Sequence, residues 1–124
     1  MRGRVDARAR EAVLPLRVLG RAVQRAEVEA TVDTGFTGAL CLPSELVRAL
    51  SLPLVGRGVA LLADGRTVET PVHRARVVWH GWERVVRVLS TEGGALVGMA
   101  LLRGSRLTID AAPGGDVRIE ELPG

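Results

Sequence analysis

The chain has 124 residues, nearly half of them apolar, and a formal net charge of +3. That length allows one domain with a real core (residues 1–124) and not two. A single cysteine excludes an internal disulfide and a cysteine-cluster metal site, and no apolar run approaches the length of a membrane-spanning helix.

Aromatic residues are few (Phe36, Trp79 and Trp82, with no Tyr), so the core is expected to be aliphatic. All seventeen basic residues are arginine. A GC-rich coding sequence explains that choice more simply than phosphate contacts do, because acids interleave with the arginines along the chain. Arg74, Arg76, Arg84 and Arg87 could nevertheless share one basic face. Nucleic acid is not an expected partner, since the aromatic platform used on single strands is missing. The arginine-rich first ten residues are not followed by an apolar signal segment, so a cytoplasmic location is expected.

Residues 5–8 read as a short first strand. Residues 12–19 read as a second, with Pro15 implying an edge or irregular position. Over 24–32, Ala26, Val28, Ala30 and Val32 alternate with Arg25, Glu27, Glu29 and Thr31, the period of a half-buried antiparallel strand. That strand delivers Asp33 to its end. After a short strand over 40–42, in which Cys41 reads as a small buried hydrophobe, residues 43–50 form the best helix candidate. There Leu46, Val47 and Leu50 share a face, Ser44 and Glu45 suit the start, and Pro53 follows the end.

Strands are expected over 59–62 and 67–78 around the Asp64-Gly65 turn, a strong hairpin signal. His80-Gly81 predicts a second hairpin that would face Trp79 and Trp82 as an aromatic pair. The second strand of that hairpin continues over 85–89. Glu92-Gly93-Gly94 is a loop, Leu96-Val97-Gly98 a short strand closed by glycine, and 99–102 one helical turn. Closing strands over 106–109 and 117–121 flank the Pro113-Gly114-Gly115 turn. Nothing repeats internally. His73 and His80 have no carboxylate cluster around them, which argues against zinc.

The segment Val32-Asp33-Thr34-Gly35-Phe36-Thr37-Gly38 carries the chemistry. An ordinary turn would account for Asp33-Thr34-Gly35 alone. The apolar strand before it, the small residues after it, and the second apolar run Leu96-Val97-Gly98-Met99-Ala100-Leu101-Leu102 together are more specific. In order and spacing, from about residue 14 to 109, the chain resembles the retropepsin-like (retroviral-type) aspartic proteases, and more closely their small single-domain bacterial relatives.

The resemblance implies an all-β fold, a small closed β barrel with one or two short helices. It implies a homodimer acting on a peptide or protein, with no cofactor, no metal and no membrane. Asp33 would be the catalytic carboxylate. Thr34 would brace the two loops across the dimer, and Gly35, Phe36 and Thr37 would complete the active-site loop. Ala63, Asp64, Gly65 and Arg66 would form a flap over the substrate. Gly98 would let the chain pass beneath the active-site loop. Retroviral enzymes place an arginine after that glycine and an aspartate near the active site to receive it. Here Met99 and Thr37 stand at those positions, so the charged brace is absent on both sides. The alternative within the same fold is a peptide-binding or scaffold module with little or no proteolysis.

Overall fold

A computed structural model describes residues 1–61 and 64–124. Among the described residues, ten strands and two short helices follow in chain order: β1 (Arg2–Val5), β2 (Ala12–Leu19), β3 (Arg25–Val32), β4 (Leu40–Pro43), α1 (Ser44–Ala49), β5 (Leu54–Leu61), β6 (Thr67–Trp79), β7 (Trp82–Thr91), β8 (Leu96–Val97), α2 (Met99–Leu102), β9 (Ser105–Ile109) and β10 (Asp116–Glu121). Six of them close a barrel in the order β2-β3-β8-β4-β7-β6, and β6 returns to β2 through Val18–Val77 and Leu19–Arg76. Closure removes the unpaired edges that an open sheet of this composition would expose.

The alternation read from sequence is what makes the barrel. Leu14, Leu16 and Val18 of β2 point inward and are buried, while Pro15 and Arg17 face out. Facing strands contribute Ala30, Val77, Val88 and Val97, and α2 adds Leu101 from one end. The interior is aliphatic apart from Trp79, and among the described residues no polar or charged side chain is fully buried in it. The free edge of β2 is shared: β1 covers residues 12 and 13, and β6 covers 18 and 19. Pro15 falls in the gap between them, where a missing N–H is tolerated.

Several boundaries differ from expectation. The first strand is Arg2–Val5, not 5–8, because the Asp6 carboxylate accepts the N–H groups of Arg10 (2.7 Å) and Glu11 (3.2 Å) and turns the chain there. β5 begins at Leu54, five residues ahead of the expected start, and bends through a register shift between Leu54 and Gly56. The expected end of that strand at residue 62 lies outside the described residues. His80 and Gly81 both have positive φ (51° and 82°), the geometry of a tight hairpin turn. Trp79 and Trp82 are opposed in register, yet their rings do not pair. Trp79 enters the core and meets the His80 ring edge-on at 5.6 Å, whereas Trp82 is 75% exposed.

No described helix is long and apolar enough to cross a membrane.

Candidate active site

The site forms where two parallel strands stop together. β3 and β8 pair through Thr31–Leu96 and Val32–Val97, so the next residues, Asp33 and Gly98, emerge side by side. The Asp33 N–H donates to the Val97 carbonyl at 2.8 Å, which fixes the backbone at the point where the strand ends. The half-buried Asp33 side chain then turns back, and Oδ1 accepts the Gly35 N–H at 3.0 Å. A carboxylate held by its own loop is confined in orientation. A Cβ on Gly35 would sit 3.3 Å from that oxygen, too tight for comfort.

The loop is clamped from below by α2. The Gly98 N–H donates to Ala39 O (3.0 Å), Met99 N–H to Phe36 O (2.8 Å), and Ala100 N–H to Gly38 O (3.1 Å). A helix leaves its first N–H groups without intrahelical partners. Here main-chain carbonyls of the Asp33 loop take them, and α2 has no side-chain cap.

Phe36 provides the packing. Its ring occupies the space that a Cβ on Gly38 would need, the nearest ring carbon lying 2.5 Å from that point. A Cβ on Gly98 would likewise strike the Phe36 ring and the Gly38 carbonyl, and would lie 2.6 Å from Phe36 O. The loop and the α2 turn thus interlock because two glycines make room for one aromatic ring.

Thr34, Gly35 and Thr37 are exposed, and no hydrogen bond from the Thr34 hydroxyl exists within the chain among the described residues. Met99, whose N–H bonds Phe36 O on the loop's supporting turn, is 47% exposed. At the expected flap, Asp64 Oδ1 accepts the Arg66 N–H (3.0 Å), Asp64 Oδ2 accepts Arg66 Nε–H (2.6 Å), and Gly65 has φ +86°. These residues turn β5 into β6 at the tip of a projecting hairpin, whose last pair is Leu61–Thr67. Ala63 lies outside the described residues. Val59 and Val68 on the hairpin are 71% and 44% exposed.

Cys41 is nearly buried, and burial first, then the Asp33 charge, push its thiol above the ordinary range. A thiol so disposed is a poor nucleophile and serves as packing. His80 Nε2 lies 2.8 Å from Ser105 Oγ, a structural contact distant in sequence from the Asp33 loop. Among the described residues no group of three or more His, Cys, Asp or Glu side chains could hold a metal.

One supporting residue was not singled out for the site from sequence. Arg84 occupies an inward position on β7, opposite the fully buried Val77, in line with Val86 and Val88. Its guanidinium donates to Leu101 O at 3.2 Å and reaches Ala100 O at 3.5 Å, covering the free carbonyls of α2. The sequence signal was an arginine at an apolar phase of the alternation. Arg84→Ala is expected to lower stability by about 1 kcal/mol, with partial recovery in Arg84→Lys, read from urea unfolding. An unchanged midpoint would remove this brace.

No family model matches the sequence, and no curated protein matches it. Solved structures do. The chain is similar to a retropepsin-like aspartic protease from Rickettsia conorii, with TM-score 0.61 and 18% identity over 98% of this chain and 89% of that one. It is also similar to the Simian Foamy Virus (mac) protease, with TM-score 0.51 and 16% identity over 72% of this chain and 91% of that one. The barrel therefore has the retropepsin-like fold.

Proposed function

We propose that this chain is one half of a homodimeric aspartic endopeptidase, with Asp33 from each copy forming the catalytic pair. The observation that carries the reading is the placement of Asp33 at a strand end, in a loop held by its own Gly35 and clamped by the turn after Gly98. The fold neighbours, a retropepsin-like aspartic protease and a viral protease, support it.

Two carboxylates brought within a few ångströms cannot both ionise cheaply, so the pair holds one proton. The charged member takes a proton from a water between them, which attacks the scissile carbonyl. The neutral member donates a hydrogen bond to the carbonyl oxygen. Thr34, exposed and without an intrachain partner among the described residues, is free to bond its counterpart across the dimer axis. The β5–β6 hairpin, with exposed Val59 and Val68 behind the Asp64–Arg66 turn, suits a flap that covers an extended apolar peptide. Where retroviral relatives use an Arg–Asp pair, Met99 and Thr37 form a neutral brace.

The pair sets the pH dependence. Below its lower apparent pKa both carboxyls are protonated and no base is present. Above its upper one both are charged and no donor remains. Activity should therefore rise and then fall between about pH 3 and pH 8, with an acidic to mildly acidic optimum. A single chain holds half a site, so the rate should fall faster than linearly on dilution. Assay of an unfolded-protein mixture across that range and over a dilution series reads both. A flat profile with strictly linear dilution would eliminate the paired-carboxylate mechanism. A folded dimer that cleaves nothing would favour the peptide-binding module of the same fold.

A further inference from the structure

We infer that the outer wall of the barrel around Arg21, Arg74 and Arg76 is a binding site for a phosphate-bearing small molecule, separate from the Asp33 site. A cavity of about 320 Å³ opens there, lined by those three arginines together with Leu19, Pro53 and Val85. It lies at the end of β2 that pairs with the start of β3 through Leu19–Arg25, whereas Asp33 follows the other end of β3. Eight residues of strand put the two roughly 25 Å apart.

The placement of charge is the main argument. Among the described residues some surface arginines meet acids: Arg17 bonds Glu27 at 2.6 Å, Arg66 bonds Asp64 at 2.6 Å, and Arg57 lies 3.9 Å from Glu69. Arg74 is paired in register with Arg87, two cations directly opposed across β6 and β7. Like charges so placed are destabilising unless something neutralises them. Among the described residues, neither has an acidic partner, nor does Arg21, and no acid lines the cavity. Arg76 does bond Glu83 (2.8 Å) and also donates to Gly20 O (3.2 Å), which fixes its guanidinium at the cavity wall. A genomic preference for arginine explains the residue type but not two arginines face to face beside a cavity.

Of the four arginines expected to share a face, Arg84 is diverted to the α2 carbonyls, while Arg74, Arg76 and Arg87 remain on the outside. The planar forks of Arg21 and Arg74, both lining the cavity, suit the oxygens of a phosphate. Leu19, Pro53 and Val85, the last 61% exposed, offer an apolar wall to the organic part of the ligand. The volume is at the lower end of small-molecule sites.

The test is calorimetric titration and thermal unfolding at fixed ionic strength, with inorganic phosphate, a nucleoside diphosphate and a single-stranded RNA oligonucleotide as probes. Phosphate or the diphosphate should raise the unfolding midpoint above that in matched chloride. Arg74→Gln should weaken binding about tenfold or more, and Arg17→Gln, at an already paired arginine, should not. Without phosphate at low salt, Arg87→Gln should be at least as stable as the parent chain. Tighter binding of the diphosphate than of inorganic phosphate would assign an organic phosphate, and equal binding free phosphate. Equal effects of chloride and phosphate, equal losses in Arg74→Gln and Arg17→Gln, or RNA binding without either small probe would each overturn the assignment. None of these readouts uses proteolysis, so the outcome is independent of the Asp33 reading.

Discussion

Asp33→Asn should leave a folded chain that hydrolyses peptide bonds at least about a thousandfold more slowly, the scale expected when a general base is removed. In the proposed homodimer the substitution changes both members of the pair at once, so neither copy can be the charged partner. The fold should survive, because an asparagine side-chain oxygen can still accept the Gly35 N–H that Asp33 Oδ1 accepts at 3.0 Å. Van der Waals volume is also nearly unchanged, and the backbone bond from residue 33 to Val97 O does not involve the side chain. Cleavage of an unfolded-protein mixture at the optimum pH, alongside thermal unfolding of both chains, separates loss of chemistry from loss of structure. Activity in Asp33→Asn comparable to the parent would refute catalysis by Asp33 outright.

Gly98→Ala tests the clamp rather than the chemistry. The φ of Gly98 is −109°, which any residue can adopt, so an effect there cannot come from backbone strain. It would come from volume. The added methyl meets the Phe36 ring, Phe36 O and the Gly38 carbonyl, all on the loop that carries Asp33. Two of these contacts are backbone and cannot rotate away, so either the Met99–Phe36 and Ala100–Gly38 hydrogen bonds stretch or the loop lifts. We expect a loss of about 3 kcal/mol, at the upper end of overpacking costs, and a midpoint lower by roughly 10 °C. Any remaining activity should fall with it. Gly94→Ala is the control, since a Cβ there meets nothing within 4 Å. Equal stability of the two variants would mean that the loop tolerates the methyl and is not locked by this packing.

Much of the barrel was legible because its strands are half-buried. Where one face meets the core and the other meets water, residues alternate, and β2 and β3 were readable almost to the residue. The tight turns at Gly65 and Gly81 were readable because left-handed backbone is costly for most side chains. β1 was not, since two arginines and a glycine in four residues carry little apolar pattern. It is a strand because β10 and β2 pair with it, and the Met1 amine bonds Ile119 O, 118 positions along the chain. The Trp79–Trp82 expectation failed for a related reason: register opposes the two residues, but the core took one ring and left the other in water.

The sequence by itself determined the strand periods, the aliphatic core and the presence of Asp33-Thr34-Gly35 at the end of an apolar strand, because these depend on neighbours a few residues apart. Only the tertiary structure decided what holds that aspartate. The parallel pairing of β3 with β8, the Phe36 ring seated against Gly98, and the reach of Arg84 to the α2 carbonyls all join segments distant along the chain. Such contacts follow from barrel closure, which is set by the burial of many side chains together and leaves no local pattern to read.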